Sequence, residues 1–349
     1  MFNVHSKSRM REGAARTVLV LGLSIGTGMA QTMPTVNLPK PDADGWISIF
    51  HGNNQSDFGV YTANDAPSKT AQPFGSPFFV QSGDTLRTSG NPGGQLIFKQ
   101  NFSHYIAEVQ LHWPGAIFNT GMLTKIQWND PGQGGGLPTS IECQGDPNQG
   151  MGQIWALGPG NARPWITFHG KTDSHGAQVD STKPEMDFGG SGGQNCIVGF
   201  PGWQQPHPAA LDNGGWVTMR VESHGKDTTR HFVDGVKVME YRNPRIAQSN
   251  NANSVVKYLT QGMLCIQSEG GPIWYRHWRI KLLPEDPLYA SLYSTVNLKT
   301  LRPMRNAPER YTLGFNGATL SILSEGRPVS TLIGKQFGFP ARIMGTNSH

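Results

Sequence analysis

Alternation of apolar and polar residues with a period of two is the feature of this sequence that most restricts its fold. In the segment 105–113, Ala107, Val109, Leu111 and Trp113 fall on one face, and polar residues separate them. This pattern is typical of an antiparallel strand with one buried face. Similar segments are found at 216–223, 230–241, 262–269 and 273–282, and Asp234-Gly235 predicts a hairpin within the second of these.

The composition supports the same fold class. The chain of 349 residues contains 44 Gly and 25 Pro, and only 15% of its residues are charged, which excludes coiled coils and helical bundles. Its nine Trp and sixteen Phe argue against disorder, because such side chains must pack. We therefore predict an all-β sandwich or barrel with long Gly/Pro-rich loops. The longest of these loops is expected at 158–215.

The first thirty residues have the pattern of a secretory signal peptide. Lys7, Arg9, Arg11 and Arg16 precede an uncharged apolar stretch at 17–29, which is too short to span a membrane. We expect a secreted or periplasmic protein with no membrane span. The predicted organisation is a signal peptide at 1–30, a Pro-rich leader at 31–44, a β-sandwich domain at 45–283 and a C-terminal appendage at 284–349, with a possible hairpin formed by 318–323 and 327–332.

Charge and cysteine usage exclude several classes of partner. Four of the 29 basic residues lie in the signal region and no basic stripe follows it, so nucleic acid binding has no support. The three cysteines form no Cys-x-x-Cys motif, and a structural zinc site is not indicated. Strand parity places Cys143 in the core and Cys265 on the opposite face, so no disulfide is expected between them.

Four short motifs occur in order along residues 44–283. They are Gly45-Trp-Ile-Ser-Ile-Phe-His-Gly52; Asn119-Thr-Gly-Met122; Ile141-Glu-Cys-Gln144 followed by Gly152-Gln-Ile-Trp155; and the late pair Trp216–Val236 and Gln267–Ile280. Together they resemble the 3-keto-disaccharide hydrolase domain family. The chain departs from the family pattern at Asp234, where Asn is usual, and at Lys125, where Arg is frequent.

The resemblance implies a concanavalin A-like β-sandwich, or jelly roll, with a carbohydrate ligand on the concave face of one sheet. It also implies cleavage of glycosides already oxidised at C3. A base would remove the proton at C2, the substituent at C1 would leave, and water would add afterwards. Such a reaction needs a base, an acid for the leaving oxygen and a group that stabilises the oxyanion.

Strand parity selects the candidate catalytic residues. Because Ile141 and Cys143 are assigned to the core, Glu142 projects from the other side of its strand. The same argument places Glu269 on this face. We predict that Glu142 and Glu269 are the catalytic carboxylates, with Glu142 as the base, and that they approach within the width of a sugar ring.

The remaining candidates are polar or aromatic side chains expected on the same face. Amides can bind sugar hydroxyls or the enolate oxygen, and a tryptophan can stack on a sugar ring. A divalent metal could instead stabilise the oxyanion, with an imidazole and carboxylates as ligands, although no metal-ligand spacing is present. The predicted substrate-binding residues are Gln144, Gln267, Trp155, Lys125, His112 and Asn119, with His112 included on condition that its strand belongs to the same sheet.

Three other functions fit parts of the pattern. A lectin-like carbohydrate-binding module would use the amides and aromatic rings without activated carboxylates. An ordinary two-carboxylate glycosidase is disfavoured, because the Glu-x-Asp-x-x-Glu signature of laminarinase-type enzymes is absent. A structural surface protein would draw on the C-terminal appendage.

Overall fold

A computed structural model gives the architecture of the chain. It describes residues 36–293, except for gaps at 52–53, 63–78, 83–84, 92, 128–136, 159–161, 174–175, 191–195, 200–213 and 249–250, together with residues 311–316 and 319–324. The predicted signal peptide therefore lies outside the described residues. None of the helices in these ranges is long and apolar enough to cross a membrane.

The described chain is almost entirely β-strand. The helical segments within it include a 3-10 turn at Gln55–Asp57 and a short helix, α1, at Tyr289–Tyr293. The strands are β1 Ile47–Ser48, β2 Phe58–Thr62, β3 Phe79–Ser82, β4 Thr85–Thr88, β5 Gly94–Phe102, β6 His104–His112, β7 Asn119–Ile126, β8 Ser140–Gln144, β9 Ile154–Leu157, β10 Trp165–Asp173, β11 Gly176–Val179, β12 Glu185–Gly189, β13 Cys196–Gly199, β14 Val217–His224, β15 Thr228–Val233, β16 Val236–Ala247, β17 Val255–Tyr258, β18 Gly262–Glu269, β19 Ile273–Leu282, β20 Tyr311–Asn316 and β21 Thr319–Ser324.

Two antiparallel layers form the sandwich. The first, sheet I, has the order β3-β4-β19-β6-β14-β15-β16, with β1 also paired to β19. The second, sheet II, runs β2-β5-β18-β7-β8-β9-β13-β11-β10, with one parallel pair between β11 and β13. β10 also pairs with β12 and with the second half of β16, which links the two layers at one edge. The predicted all-β sandwich of the concanavalin A-like type is confirmed.

The core lies between the two sheets and follows the alternation seen in the sequence. Ala107, Val109 and Leu111 of β6 pack in the same cluster as Leu264 and Ile266 of β18, and all five are at most 1% exposed. Burial of each large apolar side chain is worth about 1.5–3 kcal/mol. The residues between them in sequence therefore project away from the core, onto the outer face of one sheet or the other.

The cysteine prediction follows from this parity and is confirmed. Cys143 belongs to the main core, Cys265 belongs to a separate apolar cluster with Leu123 and Ile97, and both are free thiols. Their side chains leave β8 and β18 on opposite faces of sheet II. The strand registers on which the site assignment depends are thus correct at these two positions.

One expectation about the loops is wrong. The segment 158–215 was expected to be a long loop, but it contains β10, β11, β12 and β13. Its glycines hid the strands, because they interrupt the alternation without ending the pairing. In the C-terminal appendage, β21 overlaps the predicted first strand at 318–323 and pairs with β20, which precedes it. The predicted second strand at 327–332 lies outside the described residues. The overlooked signal is the Asn-Gly pair at 316–317.

Candidate functional site

Five neighbouring strands of sheet II bring most of the predicted site residues together. Glu269 lies beside Asn119 in the pairing of β18 with β7, and Gln144 lies beside Gly121 in the pairing of β7 with β8. Glu142 lies two residues before Gln144 on β8, on the same face, and pairs with Leu123 of β7. The two candidate carboxylates therefore project from the outer face of one sheet, on strands separated only by β7.

Glu269 is held by two amide donors. Gln267 Nε2 donates to its Oε1 at 2.5 Å, and Asn119 Nδ2 donates to its Oε2 at 3.0 Å. An ionised carboxylate can only accept hydrogen bonds, so two N–H donors suit its charged form. Glu269 is also partly exposed, which leaves it accessible to a substrate.

Glu142 is far more enclosed, with only 4% of its surface exposed. Its carboxyl group lies over Gly121 of the neighbouring strand, where an added Cβ would come within 1.9 Å of Oε1. A residue with any side chain at position 121 would displace the carboxyl group. The glycine of the Asn-Thr-Gly motif is therefore what allows Glu142 to fold across β7.

The surroundings of Glu142 favour its protonated form. Burial raises its pKa well above the usual carboxyl value, and the negative charges of Glu269 and Asp146 raise it further. No Lys or Arg of the described residues forms an ion pair with it. The two carboxylates of the site thus differ in environment, as expected for an acid and a base that work together.

Amide side chains connect the two carboxylates. With the amide of Gln144 oriented so that its nitrogen donates, that nitrogen lies 3.1 Å from Glu142 Oε1, 3.1 Å from Asn119 Oδ1 and 3.0 Å from the Thr120 carbonyl. Asn119 then donates to Glu269. The chain Glu142–Gln144–Asn119–Glu269 fixes the carboxyl groups relative to each other without placing a cation between them.

Several buried polar atoms around the carboxylates have no hydrogen-bond partner within the described structure. Two are acceptors, Gln95 Oε1 and Gln267 Oε1, and two are donors, Gln153 Nε2 and Trp155 Nε1. An unpaired buried polar group costs about 1–3 kcal/mol, so such groups cluster where a ligand completes them. Trp155 lies directly beside Glu142 in the pairing of β8 with β9.

His112 does not join this site. Its strand, β6, pairs with β14 and β19 in sheet I, so its side chain projects from the opposite side of the sandwich. There it packs between the rings of Trp216 and Trp274. The parity argument was correct for β6, but parity cannot show to which sheet a strand belongs.

Lys125 is also absent from the site. A bulge in the pairing of β7 with β18 and a positive φ of 63° turn its side chain into the interior. Its Nζ donates to Ser223 Oγ and to the Gly225 carbonyl, both at 2.7 Å. Burial lowers the pKa of Lys125 to about 7. Its side chain is buried inside the sandwich and is not on the outer face with the candidate carboxylates.

The residues present do not fit a divalent metal. In the described ranges, no three His, Cys, Asp or Glu side chains converge as a metal site requires. His112, the imidazole proposed as a ligand, is on the other sheet. The groups that contact the carboxylates are amide N–H donors, which bind hydroxyl and carbonyl oxygens and cannot ligate a cation.

Sequence reasoning missed four contributors to the site: Gln95, Gly121, Asp146 and Gln153. Gly121 and Gln153 stand inside quoted motifs, and the structure gives them their roles as the cradle of Glu142 and an unpaired donor. Asp146 lies just beyond β8, is 5% exposed and accepts from Gln149 Nε2 at 2.8 Å. Only the pairing of β5 with β18, which is not visible in the sequence, brings Gln95 beside Gln267.

Comparison with known families shows to which family the chain belongs. A sequence model of the 3-keto-alpha-glucoside-1,2-lyase-like domain matches residues 45–281, which is more than half of the chain. The protein belongs to this family. This membership supports a carbohydrate-active protein. None of the curated proteins compared with the chain matches it.

Solved structures include similar chains at low identity. A candidate glycosyl hydrolase of Parabacteroides distasonis is 15% identical, with 69% of this chain and 95% of that chain covered and a TM-score of 0.40. A laminarinase of Flavobacterium sp. UMI-01 is 11% identical, with 68% and 97% covered and a TM-score of 0.37. A carbohydrate-binding module of Bacillus subtilis is 7% identical, with 64% and 95% covered and a TM-score of 0.35. Likeness of this degree does not extend to substrate or activity.

Proposed function

We propose that the outer face of sheet II cleaves 3-keto-glycosides by elimination at C2 and C1. The observation that carries this proposal is the pair of carboxyl groups, Glu142 and Glu269, which amide side chains connect and whose environments differ. A two-step reaction that removes one proton and supplies another needs such a pair. Membership of the lyase-like family supports the same chemistry.

The roles of the two residues follow from their surroundings. A ketone at C3 acidifies the hydrogen at C2, so the ionised Glu269 takes this proton and an enolate forms. The enolate then expels the oxygen at C1, and the protonated Glu142 donates to that leaving oxygen. This exchanges the roles given by the sequence, which assigned Glu142 as the base, because burial favours its acidic form.

Addition of water completes the cycle and restores both groups. The ionised Glu142 removes a proton from water as its oxygen attacks C1 of the unsaturated ketone, and the protonated Glu269 returns a proton to C2. The products are the 3-keto-sugar and the free alcohol. Every proton taken in the first half of the reaction is thus returned in the second half.

The unpaired polar groups fit the remaining requirements of a keto-sugar. Gln153 Nε2 and Trp155 Nε1 are buried donors that can stabilise the developing oxyanion at C3. Gln95 Oε1 and Gln267 Oε1 are buried acceptors for sugar hydroxyls. The partly exposed indole of Trp155 can also pack against the sugar ring beside Glu142.

We also propose that the protein is exported, on the basis of the predicted signal peptide at 1–30. Expression of the full chain in a bacterial host, followed by N-terminal sequencing of the periplasmic or secreted protein, tests this. A mature chain that begins near Gln31 is expected. Retention of residues 1–30 on a cytoplasmic product contradicts export.

The activity is tested by incubating the mature protein with a 3-keto-disaccharide and its parent disaccharide side by side. The keto-substrate should be cleaved, with deuterium from D₂O incorporated at C2, while the parent sugar is left intact. Equal cleavage of both sugars contradicts the elimination mechanism. Binding of the keto-sugar without cleavage identifies a lectin-like module instead.

A further inference from the structure

The outer face of sheet I carries a row of cationic and aromatic side chains. Register places Arg87 of β4 beside Trp274 of β19, and Trp274 beside His112 of β6. Trp216, which directly precedes β14, packs against His112 from the other side. We call these four residues, with Arg276 from the neighbouring row, the arginine–tryptophan row. It lies on the opposite side of the sandwich from Glu142 and Glu269.

Stacking holds two guanidinium groups in this row. Arg87 Cζ lies 4.4 Å from the ring centroid of Trp274, and Arg276 Cζ lies 4.2 Å from that of Trp216. The imidazole of His112 packs between the indoles, with centroid distances of 5.1 and 5.2 Å. The N–H donors of a stacked guanidinium lie in its own plane, which is roughly parallel to the ring, so they remain available to a ligand.

Neither arginine has a carboxylate partner in the described part of the chain. Arg276 donates through Nε to Gln110 Oε1 at 2.7 Å, and the guanidinium of Arg87 stacks on the indole of Trp274. By contrast, Arg220 and Arg279 in the next row are both bound to Glu108. Two oriented guanidinium groups are therefore available for anions, with part of their rotational freedom already lost before a ligand binds.

The charge of the whole face is asymmetric. Residues that project from the strands of sheet I include more cations than carboxylates, and the three carboxylates are all engaged by arginine or lysine. The cations are Arg87, Arg220, Arg230, Lys237, Arg276, Arg279 and Lys281, and the carboxylates are Glu108, Glu222 and Glu240. This face attracts a polyanion.

We propose that the arginine–tryptophan row binds an acidic polysaccharide through its carboxylate groups. Guanidinium groups pair with carboxylates through two parallel hydrogen bonds. The row spans four strands that lie about 4.8 Å apart, so an extended chain with repeated charges can engage both ends of it, whereas one small anion cannot. Guanidinium groups cover the indoles, which disfavours the base stacking that single-stranded nucleic acids need. The proposal is independent of the chemistry assigned to sheet II.

The test measures binding of the mature protein to polygalacturonate by calorimetry at low salt. Dextran serves as the neutral polysaccharide, and a single-stranded oligonucleotide serves as the alternative polyanion. The double variant Arg87→Gln/Arg276→Gln should lose about tenfold or more in affinity for polygalacturonate, because it removes two charge-assisted contacts. The double variant Arg87→Lys/Arg276→Lys keeps the charge but not the planar fork. Its affinity should lie between those of the wild type and the Gln double variant.

A matched control removes the same charge elsewhere. Lys99 on β5 and Lys183 before β12 lie outside the strands of sheet I, so Lys99→Gln/Lys183→Gln should stay within about twofold of the wild type. Circular dichroism of each variant confirms folding. The proposal is overturned if the control variant loses as much affinity for polygalacturonate as the arginine variant does. It is also overturned if the wild type binds the oligonucleotide or dextran as tightly as polygalacturonate, or does not bind polygalacturonate.

Discussion

Glu108 on sheet I and Glu142 on sheet II occupy equivalent outward positions, and each residue is 4% exposed. Burial alone would raise the pKa of both carboxyl groups. At Glu108 the hydrogen bonds and charges of Arg220 and Arg279 outweigh burial, so its pKa is lowered. At Glu142 no cation opposes burial, and the neighbouring Glu269 and Asp146 raise its pKa further.

This difference shows which surroundings suit an outward carboxyl group to a structural role and which suit it to proton transfer. A carboxylate held between two arginines stays ionised and links strands, so it contributes to structure and not to proton transfer. A carboxyl group surrounded by amides can exist in either form, because amides both donate and accept. The amide-rich face is therefore the one that can perform acid–base chemistry.

The largest effect is expected when the same substitution is made on each face. Glu142→Gln keeps the shape of the side chain and removes the acid, so the rate on a 3-keto-glycoside should fall by about a hundredfold or more. Glu108→Gln should leave the rate within about threefold of the wild type, because its side chain is on the other sheet. Steady-state kinetics of both variants tests this difference between the faces. Similar losses of rate in the two variants would contradict it.

A smaller loss is expected at the glycine that supports Glu142. In Gly121→Ala, the added Cβ must push the carboxyl group away, since it would lie 1.9 Å from Oε1. We expect a fall in kcat of about tenfold or more from this misplacement. Gly115→Ala is the matched control, because a Cβ there meets nothing within 4 Å. A Gly121→Ala variant with unchanged kcat would show that the position of Glu142 is unimportant.

Stability should change in opposite directions for the two glutamates. The unfolded chain ionises Glu142 above its ordinary pKa while the folded chain keeps the proton, so this residue lowers stability increasingly as the pH rises from that value. Glu142→Gln should therefore raise the free energy of unfolding at pH 7 by about 1 kcal/mol or more. Glu108 has a lowered pKa and stabilises the fold above its ordinary value, so Glu108→Gln should cost about 1 kcal/mol.

Denaturant unfolding at several pH values measures both differences. For Glu142 the difference should shrink as the pH falls from 7 towards the ordinary carboxyl pKa, where the folded and unfolded states bind the same number of protons. For Glu108 it should shrink only as the pH falls below that ordinary value, through the lowered pKa of the folded state. Two variants that shift stability in the same direction at pH 7 would contradict the assignment of one carboxylate as ionised and the other as protonated.

Local alternation was enough to predict the fold class and the face of the strands from which the candidate carboxylates project. The parity of Ile141 and Cys143 correctly placed Glu142 outward, and the same reasoning placed Gln267 and Glu269. What alternation cannot show is which sheet receives a strand. His112 fits the alternation of its strand as well as Glu142 does. It lies on the other side of the molecule because β6 pairs with β14 and β19 in sheet I.

Local irregularities account for the other differences. The bulge at Lys125 reverses the direction of a single side chain, and nothing in the residue types around it signals a positive φ at a lysine. The raised pKa of Glu142 depends on how β7, β8 and β18 enclose it, so its proposed role as an acid could not be derived from the sequence. The strands within 158–215 were hidden by glycines that the pairing tolerates.

The central claim is that the folded protein raises the pKa of Glu142 and lowers that of Glu108, and we propose that Glu142 is therefore protonated at neutral pH while Glu108 is ionised. Infrared difference spectra between the wild type and each Gln variant in D₂O measure this directly, because a carboxylic acid and a carboxylate absorb at different frequencies. The account predicts that Glu142→Gln removes a carboxylic acid C=O band at pH 7 and that Glu108→Gln removes a carboxylate band. Loss of a carboxylate band in Glu142→Gln would contradict it.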